Sequence, residues 1–120
     1  MQQPVITAAP SNPIEVLEGE NITLEWRYNL SGRPLELMRL SRTGLSGFIV
    51  MKLGHILRIR STFISRVQAN VTEAFSSISF VGVVKDDDGD YQLEIQNDDE
   101  NNPVAWNEMR LRVLCKYEIL

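Results

Sequence analysis

Two stretches of the chain alternate strictly between apolar and polar residues. The apolar members are Ile22, Leu24, Trp26 and Tyr28 in the first stretch and Tyr91, Leu93 and Ile95 in the second. A period of two is typical of a β-strand with one face in the core and the other in solvent. The pattern therefore predicts two central strands, each with its apolar face turned toward a second layer.

Shorter apolar segments lie between and after these strands, and turn signals such as Gly44, Gly54 and Asp88-Gly89 separate them. They predict further strands at Leu35–Ser41, Gly47–Leu53, near Ile56–Arg60, at Ser65–Val71, Ala74–Val83 and Trp106–Leu114. The chain has 120 residues, 43% of them hydrophobic, which is the size of one domain. Many short strands at this spacing predict an all-β sandwich.

The run from Asp86 to Asp90 places four aspartates around Gly89, which raises the question of a calcium loop. With Gly89 as the sixth position of an EF-hand loop, Val84 and Ile95 fall on the first and twelfth positions. Neither side chain can ligate, and the flanking segments are predicted strands, so we expect no metal here. The alternative is a turn that leads into the second alternating strand.

The residues Asp87-Asp88-Gly89-Asp90-Tyr91 resemble the Asp-x-Gly-x-Tyr signature that opens a central strand of immunoglobulin domains. Arg66 stands at the spacing at which V-type domains pair an arginine with this aspartate. The resemblance implies an immunoglobulin-like V-type sandwich of two antiparallel sheets with Greek-key topology. It also implies an Arg66–Asp87 ion pair and a Tyr91 hydroxyl bonded to upstream backbone. It covers 14–114, with an N-terminal segment or strand at 1–13 and a tail or following segment at 115–120.

The chain departs from that family at the two cysteines of the inter-sheet disulfide, whose positions hold Trp26 and Leu93. An indole can fill space between sheets packed about 10 Å apart. We therefore expect Trp26 to be the core aromatic that faces Leu93. The alternative, an exposed binding role for Trp26, fits its alternating apolar neighbours less well.

Three glycosylation sequons, at Asn21, Asn29 and Asn70, favour an extracellular protein. Cys115 follows the last predicted core residue, and it could pair with a later segment or remain a free thiol. The single histidine, His55, and this one cysteine assemble no nucleophile–base set, so we expect neither enzyme activity nor a cofactor. A net charge of −4 argues against nucleic acid as a partner.

Basic residues dominate from Arg27 to Arg66, and acidic residues dominate from Asp86 to Glu100. In a V-type domain most of the strands that carry these segments share one sheet, so two copies docked with antiparallel faces could put basic region against acidic region twice. The alternative is that the charges neutralise each other within one molecule. The residues expected to bind protein are Arg39, Lys52 and Arg58 from the basic region and Glu94, Asp98, Asp99 and Glu100 from the acidic region.

The Trp26 position and the segment Ser76–Ile95 look most like the V-type domains of allorecognition receptors from colonial hydroids. That resemblance implies the outer part of a type I plasma-membrane receptor that binds an identical copy on an opposing cell. Membrane attachment would come only through a segment outside this sequence. The alternative is a heterophilic immune-type receptor or ligand, because the same charged face would also serve a different protein partner.

Overall fold

A computed structural model of the chain describes residues 3–101 and 103–115, so the first two residues, residue 102 and the last five residues lie outside it. The described part contains ten β-strands and one short 3₁₀ helix, Lys85–Asp87. The strands are β1 Val5–Ala8, β2 Ile14–Leu17, β3 Ile22–Asn29, β4 Leu35–Arg42, β5 Val50–Leu53, β6 Ile56–Ile59, β7 Val67–Val71, β8 Phe75–Phe80, β9 Gly89–Asn97 and β10 Val104–Leu114.

The strands form two sheets that pack as a sandwich. The four-stranded sheet has the order β1-β3-β8-β7, and the six-stranded sheet has the order β2-β10-β9-β4-β5-β6. The prediction of an all-β sandwich is therefore confirmed. The pairing is antiparallel, as expected, except at one edge, where β2 pairs in parallel with β10.

The parallel edge arises because the N-terminal segment contributes to both sheets. β1 pairs with β3 in the four-stranded sheet, whereas β2 pairs with β10 in the six-stranded one. Pro10 and Pro13 lie between them, and proline cannot donate to a strand ladder. The two prolines thus interrupt the pairing at the point where the chain changes sheets.

The core lies between the sheets and is built from the inward positions of the two alternating strands and their neighbours. Trp26 and Leu93 are both fully buried, as are Tyr91 and Phe80, whose rings pack edge to face with centroids 5.8 Å apart. The prediction that Trp26 belongs to the core is confirmed.

The predicted strands all exist, and the differences are in their ends. β5 begins at Val50, three residues later than expected, because Gly47 takes φ 85° in a turn. β8 ends at Phe80, just before Gly82, which also has positive φ. No helix in residues 3–101 and 103–115 is long and apolar enough to cross a bilayer.

Candidate recognition surface

The corner before β9 is held by Asp87, which is only 1% exposed. Arg66 donates two hydrogen bonds to its carboxylate, Nη1 to Oδ2 at 2.8 Å and Nη2 to Oδ1 at 3.0 Å. The hydrogen bond to Asp87 raises the pKa of the Arg66 guanidinium above its ordinary value. Tyr91 Oη donates to the Asp87 carbonyl at 2.5 Å. The predicted ion pair and the predicted tyrosine bond to upstream backbone are thus both present.

Two other aspartates of this run, Asp88 and Asp90, are engaged within the same molecule. Arg110 Nη2 lies 2.8 Å from Asp88 Oδ1, and its Nη1 lies 3.3 Å from Asp90 Oδ2. Asp88 Oδ2 also accepts the backbone N–H of Val113. Within the described residues, no three His, Cys, Asp or Glu side chains come together so that they could hold a metal ion. The corner is therefore a structural element that anchors β9 to β10.

Trp26 connects the two sheets through a residue that sequence reasoning missed. Its Nε1–H donates to Asn107 Oδ1 at 2.9 Å, and Asn107 on β10 is the cross-strand partner of Leu93 on β9. The indole thus spans the sandwich and ends beside the position expected to face it. The signal was available, because Asn107 has the same inward phase as Met109, Leu111 and Val113.

The outer face of the six-stranded sheet carries a row of residues that crosses five strands. Cross-strand pairing places Arg58 beside Met51, Met51 beside Arg39, Arg39 beside Glu94, and Glu94 beside Trp106. Of the residues expected to bind protein, Arg39, Arg58 and Glu94 meet in this row. Met51 and Trp106 complete it and were not predicted.

The two arginines of the row differ from every other arginine of the chain. Neither Arg39 nor Arg58 has a hydrogen bond or ion pair within the described residues, and Arg39 Nε is buried without any partner. Glu94 likewise has no ion pair there, although it is the cross-strand neighbour of Arg39. The arginines that do have partners are Arg27, Arg33, Arg42, Arg60, Arg66, Arg110 and Arg112.

Large apolar side chains are exposed on the same face. Trp106 is 69% exposed, the most of any large apolar residue of the described chain. A second row runs beside the first through Ile56, Leu53, Leu37, Gln96 and Val104. Its members Ile56, Leu53 and Val104 are 59%, 53% and 41% exposed. The face therefore combines unpaired charge with exposed apolar area.

The remaining residues expected to bind protein lie elsewhere. Lys52 alternates with Met51 and points toward the other sheet, where Nζ donates to the Val71 carbonyl at 3.4 Å. Lys52 is therefore not on the outer face. It was misplaced because the run Phe48–Met51 is continuously apolar and gives no period-two phase.

The loop between β9 and β10 engages most of its charge locally. Asp98 Oδ1 pairs with Arg33 Nε at 2.8 Å, so here the alternative of neutralisation within one molecule holds. Asp99 is only 8% exposed, and its Oδ1 accepts the backbone N–H of Asn101 at 2.9 Å. Glu100 is exposed at the loop, beyond the row. These three acids are therefore separate from the surface formed by Arg39 and Glu94.

The three sequon asparagines lie on the opposite side of the sandwich. Asn29 and Asn70 occupy outward positions of β3 and β7, and Asn21 immediately precedes β3. All three are exposed and belong to the four-stranded sheet or its ends. Asn21 Oδ1 accepts the Gly82 N–H and Asn29 Oδ1 accepts the Ser31 N–H. Each of these hydrogen bonds uses Oδ1, so neither of them engages Nδ2, the atom that carries an N-linked glycan.

No protein-family model matches the chain, and no curated protein matches it significantly in sequence.

Proposed function

We propose that this chain is an extracellular V-type immunoglobulin-like domain with Greek-key topology. The strand order supports the proposal, because a V-type sandwich adds two strands to one edge of the sheet that contains its last strands. Here β5 and β6 stand at that edge, next to β4, β9 and β10. The bidentate Arg66–Asp87 pair and the Tyr91 corner support it independently.

We further propose that the domain recognises protein through the outer face of the six-stranded sheet, which we call the recognition face. The observation that carries this proposal is the row in which Arg39 and Arg58 have no partner within the described residues and Trp106 is 69% exposed. Tryptophan, methionine and arginine are the side chains enriched at the cores of protein interfaces. Arg39 Nε is buried without a partner, which costs about 1–3 kcal/mol, so the Arg39 guanidinium is not fully satisfied within the described part of its own molecule.

The partner that fits best is a second copy of the domain on another cell. Arg39 and Arg58 are basic and Glu94 is acidic, so the face carries both signs within one row. Such a surface can be complementary to itself, as a symmetric interface requires. The position of the sequons on the other sheet leaves this face clear of glycan. The function proposed is homophilic recognition between cells by the outer part of a type I plasma-membrane protein.

Bead aggregation with purified domain tests this proposal. Beads that carry the domain on a long flexible linker should cluster with each other and not with bare beads. Trp106→Ala should abolish clustering, because exposed aromatic anchors supply much of the energy of an interface. Val81→Ala is the matched control, since Val81 is 42% exposed and lies outside the recognition face. Beads that fail to cluster with each other but capture a different protein would replace the proposal with heterophilic recognition.

A further inference from the structure

The cross-strand rows of the recognition face also indicate which strands of two docked copies would lie over each other. This inference rests on the proposed function and deepens it. The middle of the six-stranded sheet lies between β4, which carries Arg39, and β9, which carries Glu94. Two sheets that pack face to face keep their strands within about 30° of each other and lie about 10 Å apart. A two-fold axis that runs along the strands at this centre therefore places β4 of each copy over β9 of the other.

We infer that Arg39 of each copy pairs with Glu94 of the other, twice per dimer. Both side chains lack an ion pair within the described part of the chain, and both point out of the same sheet. The Arg39 guanidinium has no partner within the described residues of its own copy, and Glu94 of the other copy would supply one. Charge pairs of this kind set the specificity and register of an interface more than its raw affinity.

The same axis matches the positions on either side of this charge pair. β5 then lies over β10 of the second copy, so that Met51 faces Trp106 and Leu53 faces Val104. Methionine sulfur packs well against an aromatic ring, and the second contact buries two apolar side chains that are 53% and 41% exposed. In the next row toward the β9 corner, Ser41 faces Gln92, which are both polar. Leu37, over Gln96, makes an unlike pair, and Arg58 and Ile56 on β6 lie beyond the matched strands.

The alternative, an antiparallel docking, lacks this complementarity. An axis across the strands, through the first row, would put β4 over β4 and β9 over β9, so that Arg39 would face Arg39 and Glu94 would face Glu94. Like charges that face each other across an interface weaken binding strongly. With the axis along the strands, the C-terminal ends of β10 in the two copies lie at the same end of the dimer. Contact between two cells in this register therefore needs a flexible connection between each domain and its membrane.

Charge reversal across the two copies tests the register. Arg39→Glu and Glu94→Arg should each reduce self-clustering about tenfold or more, because each variant opposes like charges twice. Mixing beads of the two variants should restore clustering to the wild-type level, since each side chain at position 39 then faces one of opposite charge at position 94. The double variant R39E/E94R should bind itself and reject the wild type. Glu25→Arg reverses a charge on the outer face of the four-stranded sheet and is the matched control, expected to cluster normally.

A second pair of variants tests the register independently, in case a charge-reversal variant folds poorly. Leu53→Asp and Val104→Lys alter exposed positions, so their effect on the fold should be small, as thermal unfolding would show. Each should fail to cluster alone, and the mixture should cluster. Wild-type clustering without rescue by either mixture would overturn the register and leave the proposed function standing. No clustering of the wild type at any bead density would overturn both.

Discussion

Trp26 is the residue on which the sandwich core centres. Its indole is fully buried and reaches from β3 to Asn107 on β10, so that it makes both an apolar and a hydrogen-bonded connection between the sheets. A disulfide at this place would constrain the unfolded chain as well. The indole stabilises only the folded state, and its contribution should therefore appear fully on mutation.

Trp26→Ala should lower the free energy of unfolding by about 3–5 kcal/mol, the cost typical of deleting a buried aromatic side chain. Trp26→Phe should lose less, because it keeps most of the packing and gives up the bond to Asn107. Urea denaturation followed by circular dichroism measures both. A loss of under about 1 kcal/mol for Trp26→Ala would show that the indole does not support the core.

Arg66→Ala should destabilise the fold by about 3–5 kcal/mol, because it leaves the buried Asp87 carboxylate without its counter-ion. Arg112→Ala is the comparison, since Arg112 and Glu15 form a pair in which both side chains are about half exposed. That change should cost no more than about 1 kcal/mol. Equal unfolding midpoints for the two variants would contradict the role assigned to the Asp87 corner.

The tyrosine hydroxyls should make the fold sensitive to alkali. Burial raises the pKa of Tyr28 and of Tyr91 from 10.0 to about 12. Because the neutral form is favoured in the folded state, this stabilisation is complete below pH 10.0 and is lost as the pH rises to about 12. Each tyrosine should contribute a slope of up to about 1.4 kcal/mol per pH unit in that window. Tyr91→Phe should reduce the slope of unfolding free energy against pH, and an unchanged slope would contradict the assignment.

At the scale of the elements, the alternating strands β3 and β9 could be predicted because each shows a clear period of two. The Arg66–Asp87 pair followed from a resemblance at a fixed spacing. Lys52 was misplaced because a one-residue error in phase turns a side chain to the other face of a sheet. The Arg33–Asp98 pair was missed because it joins residues 65 positions apart, and loop geometry of this kind leaves no periodic signal. Trp106 and Met51 could not be predicted as surface neighbours of Arg39 and Glu94, because only the pairing of the strands places them in one row.

Glycans on the sequons should not interfere with self-binding, because all three asparagines belong to the four-stranded sheet or its ends. Protein secreted from a glycosylating host should therefore cluster beads as well before as after enzymatic removal of its N-linked glycans. Enzymatic removal is preferable to mutation, since Asn21 and Asn29 each accept a backbone hydrogen bond. A strong gain in clustering on deglycosylation would place the binding surface on the four-stranded sheet.

At the scale of the whole molecule, the two faces of the sandwich have different character. On the four-stranded sheet Arg27 pairs with Glu25, and the three sequon asparagines belong to the same sheet or its ends. The recognition face instead keeps Arg39, Arg58 and Glu94 without partners within residues 3–101 and 103–115, next to the exposed Trp106. A buried arginine nitrogen without a partner calls for an explanation, and an interface on this face would provide one. This asymmetry is the basis of the proposal that the six-stranded sheet binds protein.

Concentration-dependent nuclear magnetic resonance of the soluble domain tests the central claim most directly. As the concentration of isotopically labelled protein rises, amide signals of β4, β5, β9 and β10 should shift, with the largest changes near Arg39, Met51, Glu94 and Trp106. The Trp106 indole N–H should shift, and the buried Trp26 indole N–H, held by Asn107, should stay in place. Shifts confined to β1, β3, β7 and β8, or a spectrum that does not change with concentration while beads still cluster, would contradict self-recognition through this face.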